Sequence, residues 1–118
     1  MFDVSARPLF WWPVKVRMPS QSRPGEIDVQ AFEMQFEAVD ASAGEEILAE
    51  VQALTSHDDL LAHRHDFLVR VSHDWRGIAG DVPFSAEALR RALDFKPLRD
   101  AVDQAYSDAM SGKAAAKN

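Results

Sequence analysis

The chain has 118 residues, 47% of them apolar, with a formal net charge of −6 and a pI near 5.1. That length suits one domain with a real core, and the acidic balance argues against nucleic acid as a partner, because neutralising phosphates needs clustered Lys and Arg. The absence of cysteine excludes disulfides, thiol nucleophiles and cysteine-type zinc sites, and no run reaches the ~20 apolar residues of a membrane span.

The N-terminus lacks the basic-then-apolar layout of a signal peptide, so a soluble cytoplasmic protein is expected, with no membrane partner. Residues 1–7 read as a loose arm. Leu9 to Met18 reads as a strand of aromatic and β-branched residues. Trp12, Val14, Val16 and Met18 share one face; Trp11, Lys15 and Arg17 share the other. Pro13 cannot donate to a ladder, which points to an edge strand, a bulge or a break just before Val14. Pro19 to Gly25 is loop chemistry. Ile27 to Ala38 is a second strand, with Phe32, Met34 and Phe36 alternating with Glu33, Gln35 and Glu37. In an antiparallel hairpin, Lys15 and Arg17 are expected on the polar face with Glu33 and Glu37 as cross-strand partners. The apolar face requires cover, because a two-stranded ribbon is marginal alone.

Helical patterns follow. Ser42 and Glu45 have the spacing of a capping box, and Ile47, Leu48, Val51 and Leu54 recur at helical intervals with Glu46 and Glu50 facing water. Ser56 suits the cap of the next helix, expected from about Asp58 to Trp75. Leu60, Leu61, Phe67, Leu68, Val71 and Trp75 fall within a wedge of about 120°. Arg64 lies in that wedge and is expected to reach its edge or meet a carboxylate. Asp59–His63 and Asp66–Arg70 have the spacing of weak helical pairs. Gly77 and Gly80 end this helix. Ser85 caps another, with Phe84 and Leu89 spaced as a hydrophobic staple. Pro97 suits the first turn of a final helix carrying Leu98, Ala101, Val102, Ala105, Tyr106 and Ala109, with Gly112 as its stop. The resulting fold class is α+β: an N-terminal β-hairpin packed against about four α-helices. It forms a single domain over 1–112, and 113–118 is expected to be a disordered tail.

No motif points to catalysis. A helix face with Asp59, His63, Asp66 and His73 is the nearest approach to a metal site, and a small metal-dependent enzyme is the alternative it suggests. His63 and His65 point apart on a helix, however, and the H-E-x-x-H pattern is absent. No phosphate-binding glycine loop and no nucleophile elbow occur. No catalytic residue, metal ligand or cofactor is therefore expected. Two features suit protein binding. The adjacent Trp11 and Trp12 face opposite ways in a strand, so Phe10, Trp11, Trp12 and Val14 mark a candidate contact or self-association edge. Residues from Glu26 to Asp59 include ten acids and no Lys or Arg. Within that acidic run Glu33, Glu37, Glu45 and Glu46 are candidates for docking a basic partner.

The order of motifs resembles the tail assembly chaperones of long-tailed bacteriophages and prophages. The resemblance is carried first by Trp11-Trp12-Pro13-Val14-Lys15-Val16 and Phe32-Glu33-Met34-Gln35-Phe36. Its strongest part is Trp75-Arg76-Gly77-Ile78, Val82-Pro83-Phe84-Ser85, Leu89, Leu93, Pro97, Val102 and Ala105-Tyr106, with Gly112 and Lys117-Asn118 closing the chain. Asp74 stands where that pattern usually has glycine. The resemblance implies a non-catalytic protein that binds the tape measure protein, helps to recruit the major tail (tube) protein, and is absent from the mature virion. In many relatives a ribosomal frameshift near the end of the gene adds a second domain. Another phage tail protein, such as a terminator or connector, is the alternative within the same setting. The Trp75–Glu87 stretch itself reads as an internal joint rather than a contact surface.

Overall fold

The structure, a computed structural model, describes residues 7–112. The expected N-terminal arm (apart from Arg7) and the expected C-terminal tail lie outside the described residues. Two long strands, β1 (Leu9–Pro19) and β2 (Ile27–Glu37), form the hairpin. Helices α1 (Ala41–Ala53) and α2 (His57–Val71) follow, then a short strand β3 (Ser72–Arg76). A 3-10 turn at Ala79–Asp81 leads to α3 (Ala86–Leu93) and α4 (Lys96–Met110). The fold is α+β, as the alternation patterns imply. No helix among the described residues is long and apolar enough to cross a membrane.

The sheet is antiparallel in the order β1-β2-β3, so β1 is an edge strand, where Pro13 is tolerated. The hairpin runs in unbroken register from Leu9 opposite Glu37 to Pro19 opposite Ile27. Its turn closes through the Ser20 amide donating to the Glu26 carbonyl at 2.8 Å, with Gly25 at φ +83°. Arg23 holds both Glu26 and Asp28 beside that turn. This register corrects one expectation. Lys15 stands opposite Ala31 and Arg17 opposite Val29, while Glu33 is opposite Pro13 and Glu37 opposite Leu9. The basic and acidic residues share a face, but the seven-residue turn offsets them along the strands.

A second correction concerns α2. The helix stops at Val71, and the residues expected to extend it to Trp75 form β3 instead. Ser72 marks the change: its backbone is extended, and its buried hydroxyl donates to the Leu68 carbonyl at 2.6 Å. Trp75 lies four residues after Val71, so it fits the helical wedge. It lies opposite Met34 in the sheet, and there β2 offers backbone partners that a further helical turn does not. The register slips between Gln35 and Phe36, which leaves His73 in a bulge. A smaller correction applies to α1. Asp40, not Ser42, is the cap, its carboxylate accepting from the Ala43 amide at 2.8 Å.

The core lies between the sheet and the helices. Val14, Val16, Met34 and Phe36 supply its sheet side; Leu68, Val71, Leu89, Leu93, Val102 and Tyr106 supply its helix side. Phe36, fully buried, meets the Tyr106 ring edge-on at 5.2 Å, and Phe67 also meets Tyr106 edge-on, at 5.4 Å. The Tyr106 hydroxyl donates to the Glu37 carbonyl at 2.9 Å, which ties α4 to the end of β2. Burial pushes the phenol pKa above its ordinary value, partly offset by the Val39 backbone. Helix α1 is different. None of its residues is buried, and Leu48 is 57% exposed.

Truncating Phe36 to Ala should cost about 3–5 kcal/mol, because the rings around it cannot collapse into the space. Leu48→Ala should change stability by less than ~0.5 kcal/mol, as expected for an exposed site. Urea unfolding of both variants measures the contrast; equal losses would contradict the division between core and α1.

Candidate functional site

The residues singled out for protein contact occupy three different environments. Phe10 and Trp12 lie on the inner face of β1, half-buried, their rings edge-on at 6.3 Å, with Phe10 also 6.0 Å from Phe36. They extend the core towards its rim. Val14 is fully buried, so it holds the core rather than offering a contact. Trp11 lies on the outer face, and its ring is covered by the Arg76 guanidinium, 4.1 Å from the ring centroid.

Arg76 is the residue that sequence reasoning passed over. It lies opposite Glu33 on β3, and its Nε donates to the Glu33 carboxylate at 2.8 Å. Trp11, Glu33 and Arg76 thus form a ladder across all three strands. The hydrogen bond from Arg76, supported by its charge, holds the Glu33 carboxyl below its ordinary value of 4.5. The same bond raises Arg76. Glu37 is held between Arg7, at 3.9 Å, and His73, at 3.5 Å. The missing signal was β3 itself: while residues 72–76 are read as helix, Arg76 has no sheet partner.

Glu45 and Glu46 are exposed on α1. Beside that helix a groove of about 490 Å³ opens, with α2 as its floor and α1 and α4 as its walls. Its apolar lining includes Ile47, Val51, Leu60, Leu61 and Phe67. Arg64, also in the lining, meets Asp103 of α4 at 2.8 Å, the carboxylate contact expected for it. A second hollow, about 440 Å³, lies beyond the end of β3, between the hairpin tip and the start of α4, and is lined by Val16, Met18, Phe32, Ile78, Phe95 and Leu98.

The acidic-histidine face does not converge. His63 pairs with Glu50 at 2.8 Å, not with Asp59, and Asp66 reaches Arg90 of α3 at 2.7 Å, not Arg70. His73 lies in the bulge of β3 beside Glu37, off the helix altogether. His65 has a buried ring nitrogen with no partner among the described residues. Among the described residues no three His, Asp or Glu side chains come close enough together to hold a metal ion.

The Trp75–Glu87 stretch is a packed joint. The Trp75 indole N–H donates to the Val82 carbonyl at 2.8 Å, and its ring meets Phe84 edge-on at 5.2 Å. Gly77 turns the chain with φ +80°, where a Cβ would rest 3.7 Å from the Phe32 side chain. Ser85 then caps α3, accepting from the Ala88 amide at 3.0 Å. No protein-family model, no curated protein and no solved structure matches this chain.

Two outcomes follow from this geometry. Trp75→Ala removes both the indole hydrogen bond and the Phe84 contact, and should cost about 3 kcal/mol, the lower part of the range for large aromatic truncations. Thermal unfolding that leaves Tm unchanged would contradict the joint. For Glu33, the folded-state pKa lies below the unfolded one, so the ion pair's contribution is complete above pH 4.5 and is lost as pH falls through the depressed folded value. The stability gap between the native chain and Glu33→Gln should therefore be level at neutral pH and shrink on acidification. A gap unchanged down to about pH 2 would contradict the assignment.

Proposed function

We propose that this chain is a tail assembly chaperone of a long-tailed bacteriophage or prophage. It binds the tape measure protein, keeps that long helical chain soluble, and helps to recruit tail tube subunits. It acts in the cytoplasm of the bacterial host and is absent from the mature virion. The role is non-catalytic and uses no cofactor.

The observation that carries the reading is the ordered resemblance from Trp75 to Tyr106. Those residues work as one structural unit. Trp75 locks to Val82 and Phe84, Ser85 caps α3, Leu89 and Leu93 enter the core, and Tyr106 ties α4 to the sheet. A set of residues that jointly specifies a fold is what a family pattern preserves across changed surfaces. An exposed helix bearing Leu48, with Glu45 and Glu46 forming no ion pair among the described residues, also suits a protein that covers a sticky, basic or amphipathic chain.

Co-expression with the tape measure protein of the same phage tests the proposal. The chain should raise the soluble fraction of that protein and co-elute with it. Unchanged solubility and separate elution would reject it. Finding the chain in purified mature particles would instead favour a terminator or connector.

A further inference from the structure

We infer that the open half of β2 binds an extended segment of a partner protein, added to the sheet as a strand in line with β3. The segment carries apolar side chains at every second position and an acid on its outer face. Three observations carry this. The first is an unpaired ladder. Strand β2 runs from Ile27 to Glu37, but β3 pairs only with Glu33 to Phe36. The chain then turns away at Gly77, where a Cβ would rest 3.7 Å from the Phe32 Cα. Among the described residues, no backbone group takes the place of β3 beside Ile27, Asp28, Val29, Gln30 and Ala31. Every second residue there directs its N–H and C=O to the open side. Edge strands usually carry guards against such pairing. Strand β1 has Pro13, without an N–H, and Lys15. The open half of β2 has no Pro, Lys or Arg, and its register with β1 holds no bulge.

The second observation is the hollow beside that edge. The cavity of about 440 Å³ is lined by Gln30, Ala31 and Phe32 of β2, and by Ile78, Phe95 and Leu98 among others. No charged side chain lines it, and Phe95 is 47% exposed. Gln30 and Phe32 lie on the core face of β2, opposite Val16 and Val14. A strand added beside them points alternate side chains to that same face, into the hollow. A helix has its own N–H and C=O groups bonded internally, so it would cover the β2 edge without pairing it.

The third is charge on the outer face of the sheet. Arg17 stands on β1 opposite Val29, is exposed, and forms no ion pair among the described residues. Only the short Val29 side chain, 44% exposed, lies between Arg17 and a strand on the far side of β2. The sheet already shows such a reach. The Arg76 guanidinium of β3 crosses β2 to lie 4.1 Å from the Trp11 ring centroid on β1. Arg17 has the same span in the other direction, so an Asp or Glu on the outer face of the added strand, beside Val29, meets it. The matching half-strand of a second copy offers Ile27, Val29 and Ala31 on that face, and so supplies no acid.

This chemistry does not depend on the function proposed above. Its test uses the full chain and a labelled synthetic peptide of about nine residues, roughly 30 Å when extended, that alternates Thr and Leu with Asp in place of the central Thr. Fluorescence anisotropy should show saturable binding that weakens with salt. Hydrogen exchange should slow at amides between Ile27 and Ala31. Phe95→Ser, in the lining of the hollow, should weaken binding about tenfold or more. Arg17→Glu should do the same, and a peptide with Lys at its centre should restore the binding. Both positions are exposed, and circular dichroism checks that the variants stay folded. Two further peptides, each N-methylated along one edge, read the ladder directly: one should bind and the other should not. Equal affinities of those two would overturn the proposal. So would native affinity in folded Phe95→Ser, or no binding of the parent peptide at about 1 mM. A dimer of the chain that protects Ile27 to Ala31 and excludes the peptide would assign the edge to a second copy instead.

Discussion

The fold depends on one contact, between the end of β2 and α4. Phe36 has no exposed surface, and the Tyr106 ring, together with Phe10, lies against it. The Tyr106 hydroxyl then uses the Glu37 carbonyl, so one side chain supplies both apolar cover and a hydrogen-bond partner. A two-stranded ribbon with Val14, Val16, Met34 and Phe36 on one face is unstable until that face is covered. Tyr106 reaches it from a helix about seventy residues away in sequence, which makes α4 part of the sheet's stability rather than an appendage.

The joint from Trp75 to Ser85 solves the next problem, which is bringing α3 and α4 back over the sheet. Ending α2 at Val71 releases Ser72–Arg76, four of which pair with β2 while His73 stays in the bulge. That third strand fixes where the chain leaves the sheet. Gly77 lets it turn close against Phe32, and the Trp75 indole anchors the loop through Val82 before α3 begins. The outer sheet face gains the Trp11–Arg76–Glu33 ladder at the same time. Aromatic and charged groups that look available in the strand pattern are thereby engaged with one another. Exposed apolar side chains lie elsewhere, at Leu48 of α1 and Leu60 of α2, at Ile27 and Val29 near the hairpin tip, and at Val82 and Phe95.

This distribution leaves α1 outside the core. Residues that close the core belong to β1, β2, α2, α3 and α4, whereas α1 rests on the body with Leu48 facing out. That placement exposes apolar area to water at Leu48.

The sequence by itself determined the hairpin, the helix starts at Ser56 and Ser85, the proline-led α4 and most of the core, because local period and caps are written in neighbouring residues. It also carried the asymmetry of charge, and with it the acidic character of α1. Tertiary structure decided what depends on residues distant in the chain. Whether Trp75 continues a helix or enters a sheet turns on β2 being beside it. Whether Glu33 meets Lys15 or Arg76 turns on the register set by the hairpin turn and on β3. Whether Leu48 is core or surface turns on how much of the sheet α2, α3 and α4 already cover. A period of 3.6 marks a helix's apolar side, but it does not say whether anything in the same chain remains to be packed against it.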